Sequence, residues 1–343
     1  MNIRQMVVGM LVLSMSVAAL TVSVDAQTEE GWTVPRTPAG RPDLQGVWAN
    51  NSVTPLERPE AWVDKSTLTD EELAEFQTAA AEVTASGNDA VFGDLLAFAA
   101  IEGIKDAESY DTGTGNYNQF WLSDRDFDNR TSLVTDPPNG RLPQRTPEAV
   151  RAGRGGPAPF ITEKADSWTD RPLSERCITY GVPSLFAGYN SFYQIFQSPN
   201  HAVVMNEMIH DARVIPLGGQ PHPSQEIRQL HGDSRGHWDG DTLVVETTNY
   251  SSMGVSGMFW SSSEAITITE RFTRVGPDTL NYEVTFDDQG TLTSPWTIMI
   301  PLKRSDDSMF EYACHEGNLG MEGILSGYRA QEQALAATDE NQP

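Results

Sequence analysis

From about Tyr189 onward, hydrophobic and polar positions alternate with a period of two. Leu280, Tyr282, Val284 and Phe286 interleave with Asn281, Glu283, Thr285 and Asp287; Trp296, Ile298, Ile300 and Leu302 interleave with Thr297, Met299 and Pro301. Successive side chains of a strand point to opposite faces, so each run predicts a strand with one buried face. Turn residues separate the runs. Asp239-Gly240 reads as a two-residue hairpin loop, Gly276-Pro277-Asp278 joins two strands, and Asp287-Asp288-Gln289-Gly290 ends another. About eight strands fit between residues 189 and 315 at hairpin spacing. The expected fold class is mainly β: an antiparallel up-and-down barrel or a strongly curled sheet.

The first half of the chain has a different pattern. Thr67 to Ile104 reads as helical, with Thr69 able to cap, Asp70, Glu71 and Glu72 in the first turn, and alanines following. Ser86-Gly87-Asn88-Asp89 splits this stretch into two helices. Residues 27–66 are rich in proline and polar residues, with one short strand around Leu44 to Trp48. Residues 137–172 carry so many prolines and glycines that a long loop or linker is expected. A short helix around Met321 to Ala336 and an acidic tail, 337–343, close the chain. The expected organisation is an N-terminal segment, 27–172, packed on a β domain, 173–336.

The N-terminus changes the picture of compartment. Arg4 precedes an apolar run from Met6 to Val24, and Val24-Asp25-Ala26 supplies small residues where a signal peptidase reads. Residues 1–26 therefore predict a cleaved secretory signal, with a mature chain starting at Gln27 in the periplasm or outside the cell. No later segment reaches the roughly 20 apolar residues needed to cross a bilayer. The net charge of −25 repels phosphate backbones and anionic lipid heads, which excludes nucleic-acid and membrane-surface roles. It leaves solubility, or attraction of cations and cationic substrates. Cys177 and Cys314 form either a disulfide, which an oxidising compartment permits, or two buried thiols.

Candidate chemistry concentrates in the β half. Five of the six histidines fall between His201 and His237, the sixth being His315. Their irregular gaps match no zinc-ligand spacing, so no metal or other cofactor is predicted; a divalent metal held across strands by His210, His231 and His315 is the alternative. His210-Asp211-Ala212-Arg213 is the leading feature. Alternation in a strand puts His210 with Ala212 and Asp211 with Arg213. Functionally, His210 transfers protons while Arg213 holds a substrate anion; structurally, Asp211 and Arg213 form an ion pair and His210 is an ordinary loop residue. His231, Asp233 and Arg235 either line a pocket mouth or belong to a tight loop feeding the Asp239-Gly240 hairpin. Cys314-His315-Glu316 ends the last strand, where His315 suits an acid, base or ligand better than Cys314 suits a nucleophile. Tyr189-Asn190-Ser191-Phe192-Tyr193 and Tyr117-Asn118-Gln119-Phe120-Trp121 interleave aromatics with amides, which suits flat ligands or an aromatic core equally.

Several stretches together carry a resemblance. They include Arg41-Pro42-Asp43 with Leu44-Gln45-Gly46-Val47-Trp48, Arg130-Thr131-Ser132-Leu133, Glu175-Arg176-Cys177, Glu207 through Arg213, Gly232 through Arg235, Trp238 through Asn249, and Tyr312 through Asn318. These resemble a widespread family of secreted bacterial proteins. The resemblance implies a common fold and adds weight to His210, Asp211, Arg213, Asp233, Arg235 and His315 without giving any of them a role. A weaker likeness to lipocalin-like barrels rests on Gly46-Val47-Trp48 and the later strand meander.

The functional expectation is an enzyme of lyase, hydratase or hydrolase type, using histidine acid–base chemistry on a small polar or aromatic ligand. His210, Tyr193, Asp211 and His315 are its expected catalytic groups, and Arg213, Tyr189, Asn190, His231, Asp233 and Arg235 its expected binding groups. The alternatives are a non-catalytic periplasmic binding protein and a metal-dependent enzyme. A small molecule is the expected partner; the sequence does not specify the oligomeric state. The catalytic reading requires His210 and Arg213 to open into one hollow.

Overall fold

The computed structural model describes residues 31–85, 94–104, 122, 124–156, 165–185, 187–256, 261–314 and 316–339. The expected signal, the Ser86–Asp89 break, the Tyr117–Trp121 stretch and His315 lie outside the described residues.

Among the described residues ten strands form one antiparallel sheet: β1 (Gly46–Ala49), β2 (Val134–Asp136), β3 (Phe192–Gln197), β4 (His201–Asn206), β5 (Ala212–Pro216), β6 (Asp233–Asp239), β7 (Thr242–Thr248), β8 (Thr267–Arg274), β9 (Thr279–Asp287) and β10 (Trp296–Ser305). Their order is β5-β4-β3-β1-β10-β9-β8-β7-β6, and β2 pairs with β10 beside this path. β1 and β2 come from the N-terminal segment, so that segment supplies strands of the sheet itself. β1 lies between β3 and β10, with Trp48 opposite both Tyr193 and Arg304.

The alternation seen in the sequence is the burial pattern of the strands. Leu280, Tyr282, Val284 and Phe286 of β9 are buried, as are Trp296, Ile298, Ile300 and Leu302 of β10. The concave face is filled by large side chains: Phe272 stacks on Tyr282 with ring centroids 4.5 Å apart, and Phe286 stacks on Trp296 at 4.4 Å. Stacked rings add about 0.5–1.5 kcal/mol beyond the area they bury.

The sheet curls strongly but is not closed into a barrel, which corrects the up-and-down barrel expectation and leaves the curled sheet. Its end strands β5 and β6 approach through side chains, without a backbone ladder among the described residues. Gly236 of β6 sits where an added Cβ would come within 2.6 Å of Leu217 Cδ2 and 3.0 Å of Ile215 Cγ2. Apolar side chains thus occupy the seam that a ladder would need, and only glycine fits beneath them.

Outside the sheet, α1 (Asp70–Ala85) and α2 (Asp94–Glu102) form a second small core through Phe76, Ala80, Val83 and Leu96. Thr69 and Glu72 cap α1 reciprocally: Glu72 N donates to Thr69 Oγ1 (3.2 Å) and Thr69 N donates to Glu72 Oε2 (2.9 Å). α3 (Pro147–Arg151) lies in the Pro/Gly-rich segment, α4 (Ser252–Ser256) follows β7, and α5 (Leu319–Asp339) closes the described chain. None of the described helices is long and apolar enough to cross a membrane.

Cys177 and Cys314 form a disulfide with Cα atoms 5.5 Å apart, which removes Cys314 as a nucleophile. Asn318 Nδ2 also donates to the Glu175 carbonyl at 3.3 Å. The chain after β10 is thereby pinned to the segment before β3. A cross-link over a separation of 137 residues restricts the unfolded chain strongly. Replacing both cysteines by serine is expected to lower the unfolding free energy by about 2–5 kcal/mol, read from the urea midpoint.

Candidate active site

The turn between β4 and β5 carries the most unusual backbone of the sheet. Ile209 has φ 57° and ψ 10°, and His210 has φ 51°. A left-handed conformation at a β-branched residue costs about 1–3 kcal/mol, so the surroundings must impose it. They do so from several directions. Met208 and Ile209 are buried, Asn206 N donates to Asp211 O at 2.9 Å, and Glu207 N donates to Phe192 O at 2.9 Å. Asp211 is held at the far side by the Thr179 hydroxyl, 2.7 Å from its Oδ2.

This turn forms one wall of a groove of about 310 Å³, lined by Met205, Asn206, Glu207 and His210 and, opposite, by Met309, Phe310 and Glu311. The opposite wall belongs to the stretch that the disulfide pins. Glu207 is only 4% exposed, yet one of its oxygens is unused: Oε1 accepts from Phe310 N at 3.1 Å, while Oε2 is buried without a hydrogen-bond partner. Asn206 Oδ1 is likewise buried and unpartnered, on the face of β4 that carries Ala202 and Val204. Burial pushes the Glu207 carboxyl above its ordinary 4.5; the Phe310 amide, the Asn190 side chain and the Phe192 backbone pull the other way without offsetting it. His210 is exposed and lines the same groove.

Arg213 does not line this groove. It reaches into the curl of the sheet, where its guanidinium forms a two-pronged ion pair with Glu270 of β8, Nη2 to Oε1 at 2.7 Å and Nη1 to Oε2. Glu270 has no exposed side-chain surface and also accepts from the Tyr282 hydroxyl at 2.6 Å. Tyr193 is buried nearby, its ring 6.0 Å from that of Tyr282 and its hydroxyl donating to the Ser184 carbonyl; Tyr250 donates to the Val182 carbonyl at 3.1 Å. Burial raises all three phenols well above their ordinary 10, so they stay protonated. His210, in the turn before β5, and Arg213, inside the curl, therefore share no hollow, which overturns the expected pairing of His210 with an anion-holding Arg213.

The remaining predicted residues fall into two networks near the open seam. His231 Nε2 lies 3.1 Å from Thr179 Oγ1 and 3.8 Å from Asp211 Oδ2. Burial holds this imidazole below its ordinary 6.5; Asp211 opposes the shift and Arg213 adds to it. Arg235 grips Asp233 with two hydrogen bonds, Nε to Oδ2 at 2.8 Å and Nη2 to Oδ1 at 2.9 Å. His222 sits between Asp233 (2.7 Å) and Glu246 (3.1 Å). Tyr189 and Asn190 precede β3, both half-buried, with Asn190 at φ 43° and its side chain beside Glu207.

The structure thus joins Asn190 with His210 around Glu207, joins Asp211 with His231, and joins Asp233 with Arg235. No three His, Cys, Asp or Glu side chains converge as a metal site among the described residues, a set that does not include His315. Sequence reasoning missed Glu207, Asn206 and Phe310 as site residues. Glu207 is an ordinary acidic residue in its local sequence; its distinction comes from Phe310, 103 positions later. Glu270 was legible, since the period of β8 places it with Ile268 and Phe272 on the buried face.

Removing one partner of a buried ion pair strands the other charge. Glu270→Gln or Arg213→Met is expected to cost about 3–5 kcal/mol of stability in urea unfolding, and the paired change Arg213→Met with Glu270→Leu to regain most of it. No protein-family model matches the chain, and neither does any curated protein or solved structure.

Proposed function

We propose that the protein is an exported acid–base enzyme that acts on a small ligand in the groove between the β4–β5 turn and the Met309–Glu311 wall. The observation that carries this reading is Glu207: a buried carboxyl with one oxygen anchored and the other unpartnered, in a groove shared with an exposed imidazole. Anchoring of Oε1 by the Phe310 amide leaves Oε2 as the reacting atom. Its carboxylate, made more basic by burial, takes a proton from the substrate or from a water, and His210 returns one to the leaving group. Elimination, hydration and hydrolysis all fit this pair. The left-handed backbone at Ile209 and His210 supports the same site, because such strain persists where the fold holds groups in place for a purpose.

A lipocalin-like use of the sheet would place the ligand inside the curl. The aromatic side chains filling that space favour the outer groove instead. The Cys177–Cys314 disulfide supports export, since such bonds persist in oxidising compartments.

The test is an unbiased metabolite screen on the wild-type protein, Glu207→Gln and His210→Ala. A compound consumed by the wild type and turned over about 10²–10⁴-fold more slowly by Glu207→Gln bears the reading out. A compound held unchanged by all three chains makes this a binding protein. Because Glu207 works as the carboxylate, kcat/KM is expected to rise with pH along a limb lying above the ordinary 4.5, and that limb is absent in Glu207→Gln.

A further inference from the structure

We propose that the ligand of this groove is an organic cation, a protonated amine or amidine on an apolar or aromatic body, whose N–H donors go to Glu207 Oε2. The proposal rests on reading the groove as the functional site and adds the class of molecule it takes.

On the groove, Glu207 Oε2 is a buried acceptor without a hydrogen-bond partner among the described residues, on a residue 4% exposed. Unpaired buried acceptors are costly to leave unmade, so the complementary ligand is one that brings donors. Among the described residues neither lysine nor arginine lines the groove, and its ionisable groups are Glu207, His210 and Glu311. An anionic ligand would thus meet two carboxyl groups and no fixed positive charge. The net charge of −25 acts in the same direction at long range, concentrating cations at the surface.

The rest of the lining suits the body of such a molecule. Phe310 is 74% exposed although it stands at a groove, and Met205 and Met309 lie with it. An aromatic face attracts ammonium and amidinium groups, and thioethers adapt to varied apolar shapes. Arg213, the expected anion holder, is committed to Glu270 inside the sheet and plays no part here.

The arrangement also predicts what happens to a proton. With the groove empty, burial favours the neutral Glu207 carboxyl. An arriving cation favours the carboxylate, so binding expels that proton to solvent at pH values just above the ordinary carboxylate range. Among the described residues His210 and Glu311 are the other titratable groups on the groove, and Glu207→Gln separates their contribution.

Calorimetric titration of the full chain with phenethylamine, 2-phenylethanol and phenylacetate tests the proposal. These probes share a body and differ in charge: cationic, neutral and anionic. Phenethylammonium is expected to bind roughly tenfold or more tightly than either of the others, and to lose that advantage in Glu207→Gln. At about pH 5 its binding heat is expected to vary with the ionisation heat of the buffer, reporting the released proton. Phe310→Ala, at an exposed position that leaves the fold intact, is expected to weaken it about 2- to 5-fold. Phenylacetate binding as tightly as phenethylammonium, equal binding of the cation by Glu207→Gln, or no binding of any probe at millimolar concentration would overturn the proposal. Cation binding without turnover of any compound would sustain it while removing the catalytic reading; turnover of an anionic substrate at Glu207 would do the reverse.

Discussion

The ion pair between Arg213 and Glu270 is the constraint around which the molecule is arranged. β5 and β8 are far apart in the strand order, so a side-chain contact between them exists only because the sheet curls back on itself. Once the curl forms, a carboxylate with no exposed surface requires a partner of opposite charge and further donors. Arg213 and the Tyr282 hydroxyl supply both. The pair thus holds an end strand against the far wall, while apolar side chains over Gly236 fill the seam that no backbone ladder closes.

The position of the groove follows from that tie. Arg213 begins three residues after His210, so anchoring β5 to the interior also anchors the strained turn at its head. Asp211, bound to Thr179, turns the chain between these two commitments. On the other side, the disulfide and the Asn318 contact fix the end of the stretch that carries Phe310. Glu207 therefore lies between two walls whose positions are set elsewhere, and its carboxyl is buried without being neutralised. A fully hydrogen-bonded core would have paired Oε2; here it is buried without a partner.

Much of the architecture was legible along the chain. The period of two gave the buried faces of β9 and β10 residue by residue, Gly276-Pro277-Asp278 falls between the strands it separates, and the two-residue hairpin loop is Gly240-Asp241, one position later than read. Thr69 caps α1 as its position suggested. The same period places Arg213 with Asp211 and away from His210, so a shared hollow for His210 and Arg213 was at odds with the pattern from which both were read. The barrel did not close because closure depends on how side chains from distant strands pack at the seam, which alternation alone does not encode.

Local sequence determined which residues form strands, which face of each strand is apolar, and where helices and turns begin, because these depend on neighbours two to four positions away. Tertiary structure decided which polar groups inside those elements are satisfied. Glu270 found Arg213 57 positions away, whereas Glu207 met the Phe310 amide 103 positions away and kept one oxygen unpaired. Two glutamates of the same chemistry thus became a structural ion pair and a candidate reactive group. Desolvation and pairing are properties of the assembled surroundings, and no spacing along the chain records them.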